Sequence, residues 1–281
     1  MILLAGASGT IGRRLAMELK IRRARLRALT RDPARARDLI GPAEFAAGDL
    51  AVPETLPAAF RGVEAAFLAS ALHPDLPERE TAFLRAAAAA GVKRVVLVSV
   101  LGAAADAPFS AGRWHFEAEE ELRRLGLPHA VLRPAPLHQG LLDSAATIRG
   151  GAYAAALGET AVPWVDARDA AAAAAAALCG ELEDGIYELA GPAPLTGAEV
   201  AAVFSRVLER PVSYAPVSEE ASRRALIAAG LPEWLVAARL EQGAFLRSGR
   251  AAAGPGGVRR ACGREPLTLE SFVRERASAF R

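Results

Sequence analysis

Residues 1–12, MILLAGASGTIG, constrain this chain more than any other stretch. An apolar run, Ile2, Leu3, Leu4 and Ala5, is followed at once by Gly6, Gly9 and Gly12. A helical pattern then begins, with Ile11, Leu15 and Leu19 recurring on one face. Strand, glycine turn, helix is the local order that a dinucleotide-binding loop requires. Gly6 permits a tight turn, Gly9 lets backbone N–H groups approach a pyrophosphate, and Gly12 lets the helix pack close to the strand. The phosphates would then sit at the positive end of the helix.

The pattern repeats down the first half of the chain. Strand-like runs at 2–5, 26–30, 43–47, 65–69, 94–99 and 129–133 alternate with helical periodicity, as in 15–20, 81–90 and 117–125. Several of these strands read as nearly continuous apolar runs, as expected of a parallel sheet covered on both faces. The expected fold is therefore α/β, a Rossmann-type doubly wound parallel sheet. From residue 136 the spacing loosens. A helix is expected near 141–149, a short strand near 161–165, a helix over 169–178 and a strand at 186–189. Helices at 196–208, 218–229, 232–246 and 268–280 follow, the first opened by the capping-box spacing of Thr196 and Glu199. The stretch 251–257 reads as a flexible surface loop. The division expected is a Rossmann core over 1–135 and, over 136–281, a mixed segment that returns to the core and forms a small, mostly helical substrate lobe.

Polar residues at the ends of the strands carry the chemistry. Strand two ends in Thr30, Arg31, Asp32 and Pro33, about twenty residues after the glycine loop. Where an NAD site places an acid for the ribose 2′-hydroxyl, Arg31 would clamp a 2′-phosphate, helped by Arg35 or Arg13. NADP is thus expected over NAD. Asp49 is positioned to accept from the adenine amino group, with the Leu50 backbone against the ring. The small residues Ala69, Ser70 and Ala71 let ribose and pyrophosphate lie on the backbone. Ser99 ends strand five, where a hydroxyl reaches the nicotinamide end, and it also reads as an ordinary strand cap. His115 stands near the start of a helix, where the dipole favours a neutral imidazole while Glu117, Glu119, Glu120 and Glu121 push the other way. It reads as a proton donor to a reduced carbonyl or as a packed histidine. His138, Trp114, Tyr153 and Trp164 are candidates to line a pocket for an aromatic substrate.

Composition narrows the partners. A net charge of +2 gives no sign of a nucleic-acid surface. The alanine run at 170–177 is too short for a membrane span. Cys179 and Cys262 are far apart, lack metal-ligand spacing and fit a reducing cytoplasm. No metal site is expected, and the protein is expected to be a monomer or homodimer.

Taken in order, these motifs resemble the atypical short-chain dehydrogenase/reductase superfamily, and within it the NmrA-like group that includes quinone and triphenylmethane reductases. The resemblance rests on Gly6-Ala-Ser-Gly9-Thr-Ile-Gly12, Thr30 to Pro33, Gly48-Asp49-Leu50, Val98-Ser99, Arg113-Trp114-His115 and Leu132-Arg133-Pro134. Further on it rests on Val165 to Ala170, Tyr187 to Pro192, and Gly263 to Pro266 with the helix through Phe272, so it spans essentially the whole chain. It implies that Gly6, Ser8, Gly9, Thr10, Ile11 and Gly12 hold the pyrophosphate, Arg31 the 2′-phosphate, and Asp49 and Leu50 the adenine. Ala69 and Ser70 would face the ribose, Pro134 the nicotinamide carboxamide, and the C-terminal part would close over substrate. One departure matters. Typical members of the superfamily carry Ser, Tyr and Lys, and here Ala111 stands at the Tyr position and His115 at the Lys position.

The function expected is an NADPH-dependent reductase delivering hydride to a conjugated carbonyl, a quinone or an aromatic polyketide-like ketone. Such an acceptor needs less help from a protein acid than an isolated ketone does, because hydride transfer depends chiefly on positioning. Ser99→Ala and His115→Ala are accordingly expected to leave substantial turnover. The alternative is an NADP-binding redox sensor that does not turn over. A nucleotide-sugar epimerase or dehydratase would need the missing tyrosine.

Overall fold

The computed structural model describes residues 1–251 and 256–281. Five β/α steps open the chain: β1 (Ile2–Ala5), α1 (Thr10–Ile21), β2 (Leu26–Thr30), α2 (Pro33–Ile40), β3 (Glu44–Ala47), α3 (Leu56–Ala59), β4 (Ala65–Leu68), α4 (Leu76–Ala89), β5 (Arg94–Val98) and α5 (Ser110–Arg124). Next come β6 (His129–Pro134), α6 (Ala145–Arg149), β7 (Ala152–Ala155), α7 (Ala167–Leu178), β8 (Gly185–Leu189), α8 (Gly197–Leu208) and β9 (Ser213–Pro216). The chain ends in α9 (Glu219–Ala228), α10 (Glu233–Arg247), α11 (Gly257–Cys262), α12 (Leu269–Glu275) and α13 (Ala277–Phe280).

Seven strands form one sheet in the order β3-β2-β1-β4-β5-β6-β8, and every neighbouring pair is parallel. The order reverses beside β1, where the chain leaves toward β2 on one side and β4 lies on the other. Ligands of open parallel sheets bind in the crevice outside the strand carboxyl ends at this switch point.

Strand alternation sorts the side chains onto two cores. Ile2, Leu4, Phe67, Val96 and Leu132 face α1 and α7, meeting Leu15, Leu19 and the alanines of α7. Leu3, Ala5, Leu68 and Leu97 face the opposite way, onto Phe83 and Leu84 of α4 and Ala118 and Leu122 of α5. The apolar alanine run is now explained: in α7 Ala170, Ala171, Ala173, Ala174, Ala175 and Ala177 are fully buried. A helix apolar on all sides is a core helix, and small side chains let it lie close to its neighbours. Among the described residues, no helix is long and apolar enough to cross a membrane.

The later part of the chain differs from expectation in places. Residues 161–165 form no strand; Val162 makes a single bridge to Leu195 and Val165 one to Leu137. Instead β7 and β9, neither foreseen, pair in a separate parallel two-stranded sheet. Both are short, and they are ordered by packing on α8 rather than by a long apolar pattern. The expected helix over 268–280 is interrupted at Arg276, which ends α12 and precedes α13. Much of the stretch expected as a surface loop, 252–255, lies outside the described residues. Its flanks are packed: Ala251 is buried, and a Cβ on Gly257 would lie 1.7 Å from the Glu188 carbonyl oxygen. The capping box of Thr196 and Glu199 is present, and Ser218 caps α9 through its hydroxyl alone.

A third core holds the C-terminal region together, built from Leu141, Tyr153, Val200, Phe204, Phe272 and Phe280.

Candidate active site

The glycine loop places the start of α1 at the carboxyl edge of β1. Gly6 has φ +85°, and a Cβ there would lie 2.1 Å from the Ala69 carbonyl oxygen, so the loops after β1 and β4 touch at this residue. A Cβ on Gly12 would lie 2.1 Å from the Gly6 carbonyl oxygen, so the first turn of α1 rests on the loop itself. Gly9 caps α1 with extended backbone and no side-chain bond, and the first turn carries no acid. The leading N–H groups therefore stay open to an anion. Ser8 and Gly9 are exposed and Thr10 is half-buried, whereas Ile11 and Gly12 are buried. Ile11 thus puts its side chain in the core and offers the site only its backbone.

A cavity of about 370 Å³ opens from this loop. Gly6, Ser8 and Ala69 to Ala71 line its inner end, and Arg31, Arg35, Asp49 and Leu50 its outer end. These are residues from four separate loops that the sequence singled out for one cofactor, and the fold gathers them around one space. The Arg31 side chain is 80% exposed, with Nη1 3.7 Å from the Asp49 carboxylate. So loose a pair leaves the guanidinium available. Asp32 is occupied as the cap of α2, accepting from the Arg35 N–H at 3.0 Å. The Ser70 hydroxyl is buried without a hydrogen-bond partner. The glycine loop that leads into α1, an available arginine and an orphaned hydroxyl around one cavity fit a dinucleotide phosphate. Arg79 also lines the cavity and was not foreseen. Thr10 faces a neighbouring cavity of about 540 Å³ with Arg13 and Arg14.

Ser99 follows β5, and Pro134 ends β6 at the same edge of the sheet. Ser99 is 4% exposed, and its hydroxyl donates to Glu119 Oε1 at 2.5 Å. Glu119 in turn takes both Arg133 Nε at 2.9 Å and Nη2 at 2.5 Å. A buried carboxylate needs such a partner, and the bidentate arginine meets that need. Ser99 is thus one end of a buried network whose proton is already committed. Ala111 is buried in α5, and His115, one turn on, is half-buried with Nδ1 3.7 Å from the Glu80 carboxylate. No tyrosine replaces the missing acid. The Tyr187 hydroxyl bonds the Glu183 carbonyl at 3.0 Å, Tyr214 bonds the carbonyls of Ala155 and Gly158, and Tyr153 is buried in the C-terminal core.

The four residues expected to line a substrate pocket do not converge. Trp114 faces an outer groove of α5 with Phe116 and Arg124, which shares no residue with the glycine-loop cavity. His138 is 2% exposed and lies tilted against Phe272 with ring centroids 5.7 Å apart. Tyr153 packs on Tyr214, and Trp164 belongs to the same C-terminal core. Large rings gain most by burial, and in this region the third core was the nearest place to bury them.

The motif around Asp166 and Asp169 proves structural. Asp166 caps α7 and accepts from Arg168 and Gln139. Burial pushes its carboxyl up, but the nearby His138 imidazole and the hydrogen bonds from Arg168 outweigh that and hold it far below the ordinary range. Asp169 accepts from Arg264 at 2.6 Å and from the Leu267 N–H at 2.9 Å, tying α7 to the segment before α12, and burial pushes its carboxyl up. Among the described residues, no group of three or more His, Cys, Asp and Glu is placed to hold a metal.

Two functional candidates escaped the sequence reading although their signal was present. Glu80 interrupts the apolar stripe Leu76, Phe83, Leu84, Ala87 of α4, and Glu119 interrupts the stripe Ala111, Ala118, Leu122 of α5. A charge on a buried stripe is the informative kind of exception.

A parallel sheet with a glycine-led helix and a phosphate-fitting cavity at its switch point defines a Rossmann-type dinucleotide-binding protein. A family model described as NAD(P)H-binding matches residues 6–178. The chain is 38% identical over 283 residues to an NAD(P)H azoreductase of Xenophilus azovorans, across 100% of this chain and 99% of that one. Its fold matches the Escherichia coli NADPH-dependent quinone oxidoreductase complexed with NADPH at a TM-score of 0.88 and 27% identity, covering 99% and 100% of the two chains. It matches Citrobacter sp. triphenylmethane reductase complexed with NADP(H) at 0.86 and 25%, covering 98% and 99%. The chain belongs to the NmrA-like group of atypical short-chain dehydrogenases/reductases, and it is an NAD(P)H-dependent oxidoreductase.

Proposed function

We propose that the protein is an NADPH-dependent reductase of conjugated, electron-poor acceptors: quinones, azo compounds or aromatic polyketide-like ketones. The observation that carries this reading is the phosphate-fitting cavity in a chain whose α5 bears Ala111 where a tyrosine acid would stand. The names of the relatives, azoreductase, quinone oxidoreductase and triphenylmethane reductase, support a conjugated acceptor.

In this reading the open N–H groups of Thr10 and Ile11, the Gly9 backbone and the Ser8 hydroxyl hold the pyrophosphate. Gly6 and Gly12 let the loop approach. Arg31, with Arg35 beside it, selects the 2′-phosphate and therefore NADP over NAD. Asp49 and Leu50 hold the adenine, and Ala69, Ser70 and Ala71 the ribose side. Ser99 and Pro134 form the floor at the nicotinamide end. The bound nicotinamide supplies the hydride. The chain supplies position and a dry floor, and a conjugated acceptor spreads the charge that develops on its heteroatom. The free thiols of Cys179 and Cys262 fit work in a reducing cytoplasm.

The test is oxidation of NADPH, followed at the nicotinamide absorbance band, with a panel of quinones, azo dyes and aryl ketones. Turnover with at least one class is the expected result. Tight NADPH binding with no oxidation across the panel would overturn the reading in favour of a non-catalytic redox sensor.

A further inference from the structure

Glu80 is fully buried in α4, and neither of its carboxylate oxygens has a hydrogen-bond partner. An isolated ionised carboxylate in the interior is costly unless a charge or a proton accompanies it. The ionisable group facing it is His115 of α5, whose Nδ1 lies 3.7 Å from Oε2 and likewise has no hydrogen-bond partner. The surrounding charges are already committed. On α4, Arg79 pairs with Asp75 and Arg85 with Glu121. On α5, Glu119 is held by Ser99 and Arg133, and Arg113 donates to the Ala107 carbonyl. From α10, Glu241 accepts from Ser110.

The height of the pair in the fold gives it meaning. Both α4 and α5 start at the carboxyl edge of the sheet and run back down it, so their second turns, bearing Glu80 and His115, lie near that edge. Glu119 meets Ser99, at the end of β5, so His115, one helical turn nearer the start of α5, stands about 5 Å above that level. That is the level at which the nicotinamide end of the cleft lies in the function proposed above.

We propose that Glu80 and His115 hold one proton between them, with Glu80 the positioning residue that keeps the imidazole protonated and His115 the donor to the reduced acceptor. This rests on the reductase reading. Hydride forms a new C–H or N–H bond and opens the C=O or N=N π bond, leaving an anion on the heteroatom. The Nε2–H bond of the imidazolium breaks as the O–H or N–H bond of the product forms. The imidazole is left neutral with its Nδ1–H toward Glu80, and a solvent proton restores it. A hydroquinone anion also takes a proton from water, so loss of His115 should slow turnover about tenfold, far less than loss of an obligatory acid, which costs roughly 10²–10⁴-fold. That agrees with the expectation that His115→Ala retains substantial activity.

The test is NMR of histidine-labelled protein at pH 7.5, with the His115 signal assigned by its disappearance in His115→Asn. An ordinary imidazole is about one-tenth protonated at that pH. In the wild type His115 should be more than half protonated, and Glu80→Gln should reduce its proton affinity at least tenfold. The basic limb of the kcat–pH profile with a quinone should move down by the same amount. Wild-type His115 found neutral at pH 7.5 overturns the proposal whether or not Glu80→Gln folds, and so does an unchanged His115 in a folded Glu80→Gln. The NMR readout needs no substrate. A protonated His115 in a protein that reduces nothing would refute the reductase reading, and quinone turnover over a neutral His115 would refute the pair.

Discussion

Replacing the loop glycines one at a time separates what they do for folding from what they do for the cofactor. At Gly12 an added Cβ would lie 2.1 Å from the Gly6 carbonyl oxygen, against the 3.4 Å at which ordinary contact begins, a shortfall of about 1.3 Å. The obstacle is backbone, so the helix itself must move. Overpacking of this kind costs about 1–3 kcal/mol, and the upper end applies where no side chain can swing away. Alanine recovers about 1 kcal/mol of helix propensity. The net loss for Gly12→Ala is about 2 kcal/mol, a fall in Tm of about 4–8 °C for a chain of this size. At Gly9 the φ is −74° and the nearest atom to an added Cβ, the Gly6 carbonyl oxygen, is 3.2 Å away, so alanine asks the loop to give by only a few tenths of an ångström. Losing glycine at a helix cap costs about 1 kcal/mol at most. The new methyl would point into the exposed approach to the N–H groups, however, and should weaken NADPH binding tenfold or more. Thermal melts and nucleotide titration of both variants read the two effects separately. A Gly12→Ala protein as stable as wild type, together with a Gly9→Ala protein that binds NADPH normally, would refute the reasoning.

Two further outcomes are expected. Arg31→Ala should raise the Kd for NADPH about tenfold, the low end for a charge-assisted bond because the side chain is 80% exposed, and leave NADH binding unchanged; competition titration with the two cofactors measures the difference. Hydrogen bonds from Arg124 outweigh burial and, with Arg85, hold the Glu121 carboxyl at about 2 instead of 4.5. A depressed value stabilises the fold above pH 4.5 and loses that effect as pH falls toward 2, so Glu121→Gln should be less stable than wild type at pH 7 and show a flatter stability profile between pH 5 and 2.5 in denaturant titrations.

The first half of this protein was legible because its signals are local. The run Ile2–Ala5, the glycines after it and the helix stripe through Leu15 and Leu19 each depend on neighbours within a few residues. A parallel sheet covered on both faces leaves few other ways to bury such strands. The residues at the strand ends, Arg31, Asp49 and Ser70 among them, were legible for the same reason: topology brings strand ends to one edge wherever the intervening helices lie.

Beyond residue 136 local pattern stops deciding. Tyr153, Trp164 and His138 are the kinds of residue that line pockets, yet all three are buried, Tyr153 and Trp164 in the third core and His138 against its Phe272. The pairing of β7 with β9 joins segments about sixty residues apart, a contact that no window of sequence contains. Glu80 and Glu119 show the boundary most clearly. The sequence placed each as a charge on an apolar stripe, but only the packing of α4 on α5 and of α5 on the sheet set one opposite His115 and the other between Ser99 and Arg133. The cofactor loop of this protein was written in its sequence as local backbone chemistry. Which buried charges meet was decided by the tertiary fold, because their partners lie on separate elements.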